Sequence, residues 1–379
     1  MLKTASPAPA QYVDTPQRLN DFLRAVDESP VIAIDTEFVR EKTYYPQLCL
    51  IQVAAENSIW LIDTLVIEDL SSFFQALCNP PSLKVFHAAR QDLEIFFNET
   101  GRIPSPLFDT QIAAALLGRP DQIAYAGLVA EFYAIELDKS SSRTNWARRP
   151  LSASQIEYAA ADVRYLAGVK TKLEDELIAK GRSEWLAEEC LRLGETELYD
   201  NNPSAVWRRV KGIAKLEPDR LGIAAALAAW REMNAQQRNL PRGWVLKDDR
   251  LLAIARAAPN STAQLHAIDG LAPGLLRRHG SELLQAIQAP ATQLTGANDM
   301  HLPRLTGAGK LLLQNLLVAL RHCSETNLVS SSLIATRREL ESAICGRTEI
   351  RLYEGWRNNL FGYSVREAIA AHAASKLYE

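Results

Sequence analysis

Asp35 and Glu37 stand two residues apart at the end of the run Val31–Val39, V-I-A-I-D-T-E-F-V. Strand side chains alternate, so both carboxylates point to one face. An unpaired buried carboxylate is costly, so this pair calls either for water at a strand end or for a compensating cation. Three further positions bear on that choice. Asp92, in F-H-A-A-R-Q-D-L, opens a helix, where the dipole favours an acid by about 0.3–1 kcal/mol; taken alone it is an ordinary helix-start acid. Tyr158 and Asp162, in I-E-Y-A-A-A-D-V, fall at i and i+4 and share one helix face. The three alanines between them thin the helix, and Asp162, flanked by Ala161, Val163 and Leu166, is poorly placed for a solvent face. Four such acids brought together would repel by about 4 kcal/mol per pair at roughly 4 Å and an effective dielectric near 20. Divalent cations remove that repulsion, and all-oxygen ligation suits Mg²⁺ or Mn²⁺ rather than zinc. Two such ions about 3.5–4 Å apart would activate a water and stabilise the leaving oxygen of a phosphodiester displacement. A tyrosine beside them, with an ordinary pKa near 10, orients that water by hydrogen bonding more than it acts as a base.

These residues need elements to hold them. The β-branched run before Asp35 predicts a central strand buried on both faces. Gln47–Ala54 and Ser58–Ile62, separated by an A-E-N turn, predict two more strands and a three-stranded meander. Helical periodicity covers Pro16–Val26, Asp69–Leu77 and Gln91–Asn98, with a short strand at Leu83–Phe86. From Asp109 to Tyr133 the pattern is helical, interrupted near Gly118-Arg119-Pro120. Ser152 to Gln155 cap a long helix running to about Lys180. Together these predict an α/β domain with a mixed central sheet. Past a linker at Gly194–Ser204 everything reads as helix, with a second Pro/Thr/Gly/Asn-rich linker at Ala289–Leu305. The expected domains are residues 1–195, 203–290 and 300–379.

The 379 residues are 47% hydrophobic and 23% charged, ordinary for a globular chain of two or three domains. A net charge of −3 requires any nucleic-acid footprint to be a local basic patch. Five scattered cysteines, at 49, 78, 190, 323 and 345, without C-x-x-C, exclude a zinc cluster and fit a reducing cytosol. The N-terminus lacks the apolar core of a signal peptide and no eighteen apolar residues run together, so a cytoplasmic protein without a membrane span is expected. With no exposed heptad seam, a monomer is the expectation.

D-x-E on a strand, an Asp after the next strand–helix turn, and Y-x-x-x-D on a late helix resemble the DEDD exonucleases in their tyrosine variant. Y-Y-P-Q-L-C-L-I-Q-V-A, F-D-T-Q-I-A-A-A-L-L-G and W-A-R-R-P-L-S-A-S-Q-I-E-Y-A-A-A-D-V-R-Y-L narrow the likeness to the ribonuclease D family across the first 190 residues. The helical stretch from A-A-W-R-E-M-N-A-Q-Q-R-N-L-P-R-G-W to L-L-R-R-H-G-S-E-L-L-Q-A-I resembles an HRDC domain, and residues about 300–379 resemble a second, divergent copy.

The resemblance implies a ribonuclease H-like exonuclease domain followed by two all-α HRDC-type domains. It implies a 3′-to-5′ exoribonuclease that releases nucleoside 5′-monophosphates from RNA with a free 3′ end, tRNA precursors among the substrates. Asp35, Glu37 and Asp162 would bind one metal, Asp35 would reach a second with Asp92 assisting, and Tyr158 would position the water. Asp109, in the F-D-T motif, reads as a supporting acid. A DNA exonuclease and a non-catalytic nucleic-acid-binding scaffold are the alternatives, although every acid of the pattern is present. For substrate contacts the sequence offers His87, which reads equally as a structural hydrogen-bonding histidine, and Trp146 with Arg143, Arg148 and Arg149, which read equally as a stacking plane beside phosphate-binding charge or as a basic loop with a core-packed tryptophan. The clusters Arg208-Arg209-Lys211, Arg277-Arg278 and Arg337-Arg338 read equally as phosphate contacts or as solvated surface. Leu305–Lys310 mimics a Walker loop but lacks its first Gly and its Ser or Thr.

Overall fold

The computed structural model describes residues 9–378 except 28, 57, 79–81, 139, 143, 292–293, 295–301 and 373–375. Its chain forms two compact units. The first contains residues 1–39, 47–199 and 303–379, and the second contains residues 40–46 and 200–302.

A six-stranded mixed sheet in the order β1-β4-β3-β2-β5-β6 organises the first unit. The expected meander is present as β2 (Val31–Val39), β3 (Gln47–Ala55) and β4 (Ser58–Ile62), paired antiparallel. β1 (Ala10–Val13) and β6 (Leu107–Asp109) join parallel to β4 and β5 (Leu83–Phe86). These two edge strands are four and three residues long, too short to register as alternating patterns in sequence.

The sheet is covered on both faces. On one, α1 (Pro16–Asp27), α2 (Ser71–Cys78) and α3 (Arg90–Thr100) pack Phe22, Phe73, Leu93 and Phe96 against Ile32, Ile34, Ile51 and Val53. On the other, α4 (Thr110–Leu116), α5 (Tyr125–Tyr133), α6 (Ala153–Arg164) and α7 (Leu166–Ala179) cover Ala33, Leu50, Leu61 and Val85. α6 begins as expected with a capping box in which Ser152 Oγ accepts from Gln155 N–H and Gln155 Oε1 accepts from Ser152 N–H.

The long helix expected from 152 to 180 is in fact two. Tyr125 reaches in from α5; its hydroxyl donates to the Ala161 carbonyl (3.3 Å) and accepts the Tyr165 N–H (3.1 Å). A side chain inserted into the i→i−4 ladder breaks the helix at Tyr165, about two turns beyond Tyr158 and just past Asp162.

Residues 303–379 share the same core as the α/β elements, contrary to the expectation of a separate domain from residue 300. α8 (Ser183–Leu193) is the link: Trp185 stacks on Trp356 at 4.7 Å, and the buried Glu189 pairs with Arg357 at 2.6 Å. Gly118, at φ +88°, lies so close to the Leu328 carbonyl that a Cβ would approach it to 2.9 Å. The Walker-like stretch is packing structure: Thr306 caps the following helix, Gly307–Asn327, and a Cβ on Gly309 would collide with the Leu377 carbonyl.

In the second unit, α9 (Leu221–Gln237), α10 (Arg242–Val245), α11 (Asp248–Ala257), α12 (Thr262–His266) and α13 (Pro273–Gln288) surround Trp207, Leu227, Leu251 and Leu283. α13 runs through Gly280, which is buried and packs near Leu265 of α12. Residues 40–46, the polar turn after β2, belong to this unit: Tyr44 is buried, and its hydroxyl donates to Glu232, which Arg242 grips at 2.6 and 2.7 Å. Among the described residues no helix is long and apolar enough to cross a membrane.

Candidate metal centre

β2 carries Asp35 and Glu37 on the sheet face covered by α6, and α6 presents Asp162 to them. Ligand oxygens of these three carboxylates lie within 4.8 Å of one another, all three residues being partly buried. The alanines at 159 and 160 are fully buried, which allows α6 to lie close over the strands.

Burial and mutual repulsion dominate the electrostatics. Burial pushes Asp35 up to about 6, against a backbone hydrogen bond from Thr36. Glu37 is pushed up to about 9 by burial and then by Asp35, Asp162 and Asp92. Asp162 rises to about 8 through burial and Asp35, moderated by the Tyr158 hydroxyl, which donates to its carboxylate. Burial and the neighbouring acids raise Tyr158 as well, so its hydroxyl stays protonated and serves as a donor. An oxygen-only donor set at this spacing fits divalent Mg²⁺ or Mn²⁺.

Asp92 stands apart from the triad. It is buried in the first turn of α3, on the opposite side of β2, where Thr36 Oγ1 donates to its Oδ1 at 2.5 Å. It remains electrostatically part of the cage, since it raises Glu37 and is itself held well above the usual carboxylate range by burial and Asp35. Asp109 braces this corner: its carboxylate accepts the N–H groups of Gln111 and Ile112 at the start of α4, and those of Ala88 and Ala89 ahead of α3.

The expected substrate contacts fare differently. His87 is committed to the protein, with Nδ1 2.9 Å from Thr110 Oγ1 and Nε2 2.9 Å from the Ile123 carbonyl. Burial lowers its pKa, which suits a neutral ring, and its Nε2 faces the Ile123 carbonyl as a donor. Substrate contact by His87 is therefore corrected to a structural role. Trp146 is only 3% exposed and lies in the core, 6.0 Å from the Tyr158 ring, so it backs the site's tyrosine and offers no stacking face to a base. Arg149, three residues on, ties this segment to the Cys49 carbonyl of β3 and to Asp63 just past β4, long-range contacts that composition does not reveal. Arg143 lies outside the described residues. Arg148 is exposed, whereas Arg149 is bound to Asp63 and to the carbonyls of Cys49 and Trp146.

Two functional features escaped the sequence reading. Tyr125 fixes the break of α6 beside Asp162. In the second unit Trp244 is 63% exposed and lines a cleft of about 350 Å³ with Arg238, Lys247, Arg250 and Arg278. That cleft shares Gly243, Lys247 and Asp249 with a second one, reaching Arg209 and Lys211, so the two form one basic groove. The sequence signal was available in P-R-G-W-V-L-K, an aromatic between cations, but exposure of Trp244 is a tertiary fact.

Comparison with known proteins agrees with the two-part layout. The family described as 3′-5′ exonuclease matches residues 10–178, and the HRDC domain family matches residues 220–287. The chain is similar to ribonuclease D of Sphingobium indicum, 40% identical over 363 residues, covering 94% of this chain and 93% of that one. Ribonuclease D of Nitrobacter hamburgensis is also 40% identical, over 88% of each chain. The crystal structure of Escherichia coli RNase D, described as an exoribonuclease involved in structured RNA processing, superposes with a TM-score of 0.84 at 34% identity. That match covers 96% of this chain and 99% of the other.

Proposed function

The chain belongs to the ribonuclease D family, and from that premise we propose that Asp35, Glu37 and Asp162, with Asp92 assisting, hold two divalent cations, Mg²⁺ or Mn²⁺, for RNA hydrolysis. The protein is a 3′-5′ exoribonuclease. The observation that carries the metal reading is the carboxylate triad itself, three acids within 4.8 Å in which Asp35 raises the pKa of both Glu37 and Asp162. When bound, the cations neutralise that charge, acidify a water and stabilise the departing 3′ oxygen. Asp35, Glu37 and Asp162 fix the positions of that charge from a strand and a helix, both rigid. Tyr158, protonated and aligned by its bond to Asp162, directs a hydroxyl toward the attacking water. Asp92, gripped by Thr36, supports the second position directly or through water.

The substrate is RNA with a free 3′ end, tRNA precursors included, and the products are nucleoside 5′-monophosphates. The basic groove beside Trp244 fits a single strand, since a base can stack on the exposed indole while flanking cations meet phosphates. Residues 303–379, HRDC-like in sequence, act as part of the exonuclease unit whose core they share, and the protein works as a cytoplasmic monomer.

The test is metal-dependent degradation of 3′-hydroxyl RNA, with matched DNA and 3′-phosphorylated RNA run alongside. We expect stepwise release of monophosphates from RNA and their loss in EDTA. Equal cleavage of DNA would favour a general exonuclease, because discrimination has to come from contacts to the 2′-OH. Undiminished cleavage by Asp162→Asn would sink the site assignment.

A further inference from the structure

Gln52 lies in the middle of β3, fully buried, yet neither its Nε2 nor its Oε1 has a hydrogen-bond partner. Buried polar groups are nearly always satisfied, and an amide with both ends unpaired is costly enough to require an explanation. An apolar residue would be the ordinary occupant here. The neighbours on the same face, Leu50 along β3 and Leu61 opposite in β4, belong to the hydrophobic core beneath α6.

The strand register supplies the explanation. Gln52 is the direct cross-strand partner of Asp35, as Leu50 is of Glu37. Residues directly opposite in an antiparallel pair project from the same face, with Cβ atoms about 4.5–5.5 Å apart. The orphaned amide therefore stands beside a carboxylate that, on the metal-centre reading, would be a ligand.

We propose that Gln52 is a positioning residue for the metal centre, its Nε2 donating to the Asp35 carboxylate and setting the orientation in which Asp35 ligates. This rests on the metal-centre reading and extends it from the ligands to what holds them. Thr36 already does the equivalent for Asp92 from the other side of β2, through a hydrogen bond that is formed in the structure. A donor to a carboxylate is stronger than a bond between neutral groups, so an amide directly across the strand suits the orienting role. Partners that orient a metal-bound carboxylate, when removed, typically lower metal affinity by about 10–100-fold.

The experiment measures Mn²⁺ binding by the full chain, by calorimetry and by paramagnetic resonance, in the parent, Gln52→Leu and Gln52→Met. Both variants remove the amide at similar volume, and the unbranched Met adapts to the site if Leu disturbs folding. The expected result is a Kd for Mn²⁺ raised about 10–100-fold, with the metal-free melting temperature at or above that of the parent. Half-saturating metal for RNA cleavage should rise in step, while kcat at saturating metal falls less. Mn²⁺ affinity in both variants within twofold of a tight-binding parent would overturn the role of Gln52 and leave the metal centre standing. A parent that binds no Mn²⁺ would overturn both.

Discussion

Two groups of buried acids on one sheet are treated in opposite ways. Asp63, just past the end of β4 and 1% exposed, is gripped by Arg149 at 2.6 and 2.7 Å and accepts the Tyr12 hydroxyl. Burial alone would raise its pKa, but these partners outweigh it and hold the carboxyl below its usual value. Glu232 and Glu189 are likewise each paired with an arginine. Asp35, Glu37 and Asp162 instead face one another, and their pKa values are driven upward. The first arrangement completes itself on folding; on the proposed metal reading the second is completed by cations that the chain does not encode. The contrast lies in the partners of each acid more than in its burial.

The contrast is broken most severely at Asp35. Asp35→Ala should lower RNA hydrolysis on the order of 10³-fold or more while leaving metal-free stability unchanged or raised, since it removes a repulsive charge. Single-turnover cleavage together with metal-free thermal melting checks both halves. A variant that melts earlier but still cleaves would reverse the assignment.

Arg149→Met should do the opposite. It leaves Asp63 buried without its cation, at a cost of about 3 kcal/mol in stability, visible as a lower urea midpoint. Mn²⁺ affinity under native conditions should be preserved, which would fail if Asp63 belonged to the metal centre.

A smaller effect is expected for Tyr158→Phe. Losing one hydrogen bond to a charged group is worth about 1.5–3 kcal/mol, so kcat should fall roughly 10–100-fold. Because the tyrosine is not a ligand, Mn²⁺ affinity should stay near that of the parent, and a matching loss of affinity would make it part of the cage.

The mildest probe is pH. The cage acids bind protons more tightly folded than unfolded, so metal-free stability is largest at low pH. It declines as pH rises from about 4 toward the raised values of about 6, 8 and 9. Each titrating carboxyl contributes at most about 1.4 kcal/mol per pH unit. Asp63 works in the other direction, contributing stability above its ordinary value of 3.8 that is lost as pH falls through its lowered one. Melting curves in EDTA should therefore decline between pH 5 and 9, and saturating Mg²⁺ should flatten the decline. An unchanged slope with Mg²⁺ would remove the link between these acids and cations.

How much of this was legible depended on range. Alternation placed Asp35 and Glu37 on one face, and i, i+4 spacing joined Tyr158 to Asp162, because both rules act within one element. The meander and the cap at Ser152 were readable for the same reason. His87 and Trp146 stayed open between substrate contact and structural role because partners elsewhere in the chain decide whether a polar ring or an indole is exposed. Thr110 and Ile123 claim the first, and the second lies in the core beside Tyr158.

The sequence by itself determined the acids, their local spacing and the strand and helix that carry them. Only the tertiary structure decided that β2 and α6 meet at Asp35, Glu37 and Asp162, that Asp92 is held from the opposite face by Thr36, and that Tyr125 ends α6 beside the cage. Periodicity specifies which way a side chain points from its own element. What that side chain then meets depends on packing between segments more than a hundred residues apart, and packing alone brought three like charges together.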